Sequence, residues 1–189
     1  LIKKKNLPSP IAVVVVFLIL SSLTIIPTGF TGVRTTFGQI DPKPLSSGPH
    51  FKIPLVQSIE KVNNKQQDIT FTERVWSVTA ENTNVYMENV VVTYQINGEK
   101  SAWIYANVTD YRNNLVSRTL VESALKASSV TLNTDKIPNR GLIEPIAKEK
   151  LQRALNEKYG PEVVTVIAVK IGNIDFEQVY DEALEQKQL

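Results

Sequence analysis

The residue types that carry most enzyme chemistry are sparse in this chain. It contains no cysteine and one histidine, His50, set between Pro49 and Phe51. A lone imidazole without a thiolate or a second His cannot complete a zinc site or a Cys–His pair, so closing a turn is the plainer role. Gly29, Gly32, Gly38 and Gly48 fit neither G-x-G-x-x-G nor a P-loop and read as turn residues. No serine lies in a G-x-S-x-G elbow. Glu144 with Glu149, and Asp181 with Glu185, are acidic pairs on predicted helix faces, where a solvated face is the expected use. Asn107-Val108-Thr109 is a formal glycosylation sequon and reads as a chance match. Trp76, Trp103 and Tyr105 can form a ligand shelf or a core, and the core reading is preferred. The expectation is therefore no catalytic group, no metal and no cofactor.

The 189 residues allow one compact domain plus an extra segment, and 42% apolar residues suffice for a core. Net charge is +2, and Lys3, Lys4 and Lys5 supply three positives, leaving the remainder near −1. That balance gives no argument for nucleic acid as a partner. The first residue is Leu, which suggests a fragment of a longer chain.

Between Lys5 and Arg34 no charge occurs. Ile11–Ile26 is nearly all apolar, with Ser21, Ser22 and Thr24 as its polar members. Its aliphatic and Phe residues favour insertion into lipid by about 4–7 kcal/mol before the hydroxyls are counted. As a helix it reaches only ~24 Å, somewhat short of a ~30 Å hydrocarbon layer. Leu7 and Phe30 can lengthen that reach, Pro10 suits a first helical turn and Pro27 an exit. A cleaved signal peptide and a buried soluble helix are competing readings, but no A-x-A-like site and no polar face appear. The expected anchor residues are Ile11, Val14, Phe17, Leu18, Leu20, Leu23 and Ile26. Lys3–Lys5 place the N-terminus in the cytoplasm and the downstream domain on the opposite side.

Downstream, short strands are expected at Thr31–Phe37, Ser58–Asn63, Gln67–Thr72 and Trp76–Thr79. Asp41–Pro49 reads as a loop. Val85–Ile96 is the clearest strand, with Tyr86, Val90, Val92, Tyr94 and Ile96 on one face and Glu88 as the exception. Ser101–Val108 suggests a short helix. The stripe Leu115, Val116, Thr119, Leu120, Ser123, Ala124, Ala127 predicts one long helix from Tyr111 to Ser129. A second, over Arg140–Lys158, uses Ile143, Ile146, Ala147, Leu151, Ala154 and Leu155 and stops at Gly160-Pro161. Val163–Ile171 is a β-branched strand, and Asp175 or Phe176 opens a last helix. Strands first, then helix–helix–strand–helix, predict an α+β domain.

Several stretches resemble one family in order. Pro27-Thr28-Gly29-Phe30-Thr31-Gly32-Val33 is similar to its P-x-G-x-x-G-V, followed by Phe37-Gly38. Gly48-Pro49-His50-Phe51-Lys52-Ile53-Pro54 is similar to G-x-H-F-x-x-P, with Pro49 where a branched apolar residue is more usual. Val90–Ile96, the helix around Arg118, the Ile143–Leu155 helix and Val166–Ile174 also fit. This is the band-7 or SPFH superfamily of stomatins, prohibitins and flotillins, and the closing Glu182–Gln188 run looks most like a bacterial prohibitin type. The resemblance implies a tail and single transmembrane anchor over 1–27, an SPFH domain of antiparallel strands then helix-helix-strand over 28–175, and the start of a long coiled-coil helix over 176–189.

It further implies a non-enzymatic scaffold subunit of the plasma (inner) membrane, forming homo- or hetero-oligomeric rings or cages of like subunits. Such scaffolds organise membrane microdomains, contact lipid and regulate membrane AAA proteases. Phe176, Val179 and Ala183 are the expected oligomer contacts. The run Phe51-Lys52-Ile53-Pro54-Leu55-Val56 is apolar and near the anchor, and burial in a strand or contact with the membrane interface are equally open to it; Phe30, Phe51 and Leu55 are the expected interface contacts. The alternative function is a membrane-tethered enzyme or ligand-binding domain.

Overall fold

The computed structural model describes residues 9–177. Lys3–Lys5, Val179 and Ala183 lie outside that range. The described chain divides into two compact units, one of residues 9–64 and 98–106, the other of 65–97 and 107–177.

The first unit opens with α1 (Pro10–Ser22), in which the Ser9 hydroxyl accepts from the Ala12 amide at 3.2 Å and Pro10 occupies the first turn. No residue of α1 is buried. The Ser21 and Ser22 hydroxyls donate to the Leu18 and Ile19 carbonyls, and the helix ends there. The next four residues include three β-branched ones and form β1 (Leu23–Ile26). The helix is thus shorter than the expected Ile11–Ile26 span: Leu23 lies in a strand, and Ile26, expected as anchor, is 1% exposed inside the domain. Among the described residues no helix is long and apolar enough to cross a membrane.

Strands β2 (Phe30–Thr36), β3 (Gln39–Ile40), β4 (Gly48–Phe51) and β5 (Gln57–Asn63) follow. All pairing is antiparallel: β1 with β4, and β2 with both β3 and β5. Gly32 bridges Leu45 and leaves no room for a side chain, because a Cβ there would sit 2.4 Å from Ile26 Cδ1. A single 3-10 turn over Gly98–Lys100 runs into α2 (Ser101–Asn107), which buries Ala102 and Ile104. Trp103 and Tyr105 on α2 are exposed, as is Trp76 in the other unit, so the expected core role fails for all three.

The second unit is two-layered. Its sheet is built on β8 (Asn84–Ile96), with β6 (Gln67–Phe71) and β7 (Val75–Val78) paired in succession along one edge and β9 (Val164–Phe176) along the other. The helices are α3 (Tyr111–Asn114), α4 (Arg118–Ser129) and α5 (Arg140–Tyr159). Phe176 is the last residue of β9, opposite Val85, and does not begin a helix.

In β8 the buried residues are Val85 and Met87, then Val90, Val92, Tyr94 and Ile96. The alternation slips by one at Asn89, whose φ is 55°. Tyr86 therefore leaves the core face it was expected to share, and Glu88 ceases to be an exception. β9 keeps register across Asn89, so its own phase slips at Gly172, and it carries in addition one extra residue, Ile167, between the pairs Thr93–Ala168 and Tyr94–Val166.

The expected long helix breaks at residues 115–117. Ser117 is extended (φ −74°, ψ 151°) and caps a fresh start, so the buried stripe of α4 becomes Val121, Ala124, Leu125 and Ser128, rotated from the one predicted. The α5 stripe holds, with Ile143, Ala147, Leu151 and Leu155 buried and Gly160 closing the helix at φ 93°. Polar side chains of α5 also cover the outer edge of β9. Gln152 donates to Val164 O at 2.8 Å and accepts from Val166 N at 2.7 Å. Glu144 accepts from Ile171 N at 3.0 Å, and Arg140 donates to Gly172 O at 2.7 Å. Backbone groups that would otherwise offer a template for strand addition are thereby occupied.

A Cβ on Gly172 would lie 2.7 Å from Asn89 Cβ and 2.9 Å from Asn89 O. Gly172→Ala is expected to destabilise the protein by roughly 1–3 kcal/mol, because a backbone atom must give way. Thermal melting followed by circular dichroism should show a loss of several degrees; an unchanged midpoint would mean the β8 kink relaxes freely.

Candidate membrane-facing site

At one end of the first unit the backbone joins a set of exposed apolar residues. The Lys52 amide donates to the Ser22 carbonyl at 2.7 Å, tying the end of α1 to the end of β4, and Leu23 is the register partner of Phe51. The chain then turns through Ile53–Val56, where the Gln57 amide donates to Ile53 O at 2.8 Å and Gln57 Oε1 accepts from the Ile53 amide at 3.0 Å. The Phe37 amide donates to Val56 O at 2.9 Å. Leu23, Phe51, Ile53, Leu55 and Phe37 therefore follow one another around the end from which α1 leaves.

Leu55 is 98% exposed, Phe37 84% and Phe51 74%. Phe37 and Leu55 both hold positive φ, 50° and 66°, a conformation rarely given to bulky side chains. Phe37 and Gly38 (φ 84°) together make the two-residue turn between β2 and β3, where Asn-Gly is the usual choice. Backbone strain spent on holding a phenyl ring and an isobutyl group in solvent points to a use for them outside the fold.

Of the residues predicted for this surface, Phe51 and Leu55 are brought together on it, while Phe30 is half-buried in β2. Ile11, Val14, Phe17, Leu18 and Leu20 line α1 as exposed residues, Leu23 joins the rim, and Ile26 is absorbed into the core. Ile53 falls within the expected run, and Phe37 was missed. Phe37-Gly38 between Thr-rich β2 and the Gln-Ile pair of β3 was the available signal.

The second unit carries a different surface, on the face of its sheet away from α4 and α5. Trp76 and Tyr86 are register partners with ring centroids 5.1 Å apart, and Tyr86 is also the partner of Asp175, to whose Oδ2 its hydroxyl donates at 3.3 Å. The Arg74 guanidinium lies 4.3 Å from the Tyr86 ring centroid and donates through Nε to Glu88 at 2.9 Å. Asn173 Nδ2 donates to the other Glu88 oxygen at 3.2 Å. Hydrogen bonds from Arg74 and then Asn173 hold the Glu88 carboxyl below its ordinary range, and desolvation followed by the Asp175 charge raises the Tyr86 phenol. The cluster is satisfied and presents no aimed nucleophile. Among the described residues no group of three His, Cys, Asp or Glu is placed to hold a metal ion.

A domain of antiparallel strands followed by helices and a closing strand, met immediately by an apolar helix, matches a known class. The chain belongs to the SPFH domain/Band 7 family, whose match spans residues 24–189 and so begins within β1, just after α1. Proteins of this family are generally membrane-associated, non-enzymatic scaffolds. No curated individual protein matches the chain.

Because the Glu88 carboxyl is depressed in the folded state, its contribution is full above the ordinary glutamate value and is lost as pH falls through the folded one. Glu88→Gln is expected to lower the melting temperature at neutral pH, with the gap to wild type closing as the solution is acidified through the carboxylate range. A gap that stays constant with pH would show that the ion pair with Arg74 is not its source.

Proposed function

We propose that the protein is a membrane-anchored oligomeric scaffold subunit, with α1 in the bilayer and the apolar rim of its first unit against the membrane surface. The observation that carries this reading is that none of the thirteen residues of α1 is buried, none is charged, and the helix passes into β1 without a linker. Nothing in the first unit covers that helix, and lipid is the solvent in which such a surface is stable.

At ~1.5 Å per residue α1 is about 20 Å long, against a hydrocarbon layer of ~30 Å. Leu23, Ile25, Phe51, Ile53, Leu55 and Phe37 stand where the remaining depth would be met on the side of the domain. The charge distribution of the sequence supports a cytoplasmic N-terminus, with the folded domain on the opposite side of a plasma (inner) membrane. The prohibitin-type likeness of the closing residues and family precedent support rings or cages of like subunits that organise microdomains and regulate membrane AAA proteases. A tethered enzyme would need convergent, unsatisfied polar groups. The Arg74–Glu88–Tyr86–Asp175 set is instead internally paired.

Since the chain has no cysteine, single labels are clean. Leu55→Cys carrying an environment-sensitive dye is expected to shift to the blue when the protein is reconstituted in vesicles, while the same dye at exposed Lys61 is not. Leu18→Arg should cost roughly 2.5–3.5 kcal/mol of insertion and move the protein out of the floating membrane fraction. Flotation unaffected by Leu18→Arg would remove α1 as the anchor. No shift at position 55 in an inserted protein would remove the rim from the membrane.

A further inference from the structure

The two layers of the second unit present unlike outer faces. The sheet face carries Trp76, 49% exposed, beside Tyr86, with Asp68, Glu88 and Asp175 as its acids and Arg74 and Lys170 as its bases. Arg74 is paired with Glu88 and Lys170 reaches over the edge to Glu144, so Asp68 and Asp175 leave the face negative. Asp68 accepts from Thr93 at 2.6 Å and Asp175 from Tyr86, and neither has an ion-pair partner among those of the described residues.

The helix face is the reverse. Along its sequence α5 carries five basic and three acidic residues. Glu144 is turned toward Lys170 and the β9 edge, and Glu149 is paired with Arg153 at 2.8 Å. Along one face of α5 lies an open groove of about 500 Å³ lined by Pro145, Lys148, Glu149, Gln152, Arg153 and Asn156, two of them cationic. Pro145 and the methylene stems of Lys148 and Arg153 supply the walls.

We propose that these two faces are the two halves of one contact between neighbouring copies, the Trp76–Tyr86 sheet face of one subunit seating in the α5 groove of the next. An exposed indole wants an apolar slot with cations near its face, and the α5 trough offers Pro145 with Lys148 and Arg153. Asp175 and Asp68 meet the net positive helix. The two surfaces lie on opposite sides of one two-layer unit, so no two-fold axis can satisfy both at once. The contact is head-to-tail, and repeating it generates a ring or a filament. This rests on the oligomeric-scaffold reading and assigns the surfaces by which copies meet, independently of residues beyond 177.

The test uses the full chain in mild detergent. Asn173→Cys places a thiol on the sheet face, Asn156→Cys places one in the groove, and neither removes a charge. With a short bismaleimide the double variant is expected to give a ladder of cross-linked multimers, and each single variant none. Mixing the two single variants should give cross-linked pairs. In parallel, Asp175→Lys should weaken association by roughly tenfold, and Lys148→Glu in the same chain should recover most of it. Wild-type protein that is monomeric by light scattering overturns the scaffold reading and this contact with it. Oligomers that form without a ladder, or self-cross-linking of Asn173→Cys alone, overturn the contact and leave the scaffold reading standing.

Discussion

The second unit hangs on a two-stranded ribbon, β8 with β9, each thirteen residues long. A ribbon of that length cannot keep strict alternation and still follow a twisted helical layer, so both strands shift phase along it. In β8 the shift is an Asn in the left-handed region, facing Gly172 of β9, and β9 carries one extra residue, Ile167, further along. Opposite Asn89 only a glycine fits, because the kinked backbone fills the place of a side chain. Met87 and Val90 both point into the core only because of this arrangement. The same slip turns Tyr86 and Glu88 outward together and makes the Arg74–Trp76–Tyr86 cluster available at the surface.

The molecule treats its exposed backbone and its exposed side chains in opposite ways. The outer edge of β9 is closed by three polar side chains from α5, each aimed at a main-chain group that would otherwise pair with a foreign strand. No such economy applies to the apolar side chains at the end of the first unit, where Phe37 and Leu55 are held outward at the cost of strained backbone. Strand addition at the β9 edge is guarded against, and contact through the apolar side chains is not. That combination is what the proposed reading, with the apolar end against lipid, requires.

Much of this was legible locally. The strands from Gln57 to Ile96 follow alternation and turn residues, and the α5 stripe follows a four-residue spacing that nothing interrupts. The failures share a cause: a change of phase that the residue types do not announce. No Gly or Pro marks the break between Asn114 and Arg118, so the α4 stripe was placed one position off. Asn89 looks like any polar residue in a strand, yet its φ moved Tyr86 from core to surface. At Ser22–Leu23 composition stays apolar across a switch from helix to strand, and hydropathy cannot see it. For the candidate surface, Phe51 and Leu55 were readable from an apolar run that had no alternation, whereas Phe37 depended on a turn type with an unusual occupant.

Because α1 ends at Ser22, β1 starts at Leu23 and the Lys52 amide donates to the Ser22 carbonyl, no linker separates the helix from the sheet. A flexible tether would let the folded part tumble whatever the tether does. With α1 in the bilayer as proposed, a membrane that thins, thickens or curves would change the tilt of so short an apolar helix, and the first unit would turn with it. Elastic deformation of the lipid would then become a change of orientation in the protein, with the helix–strand joint as its fulcrum.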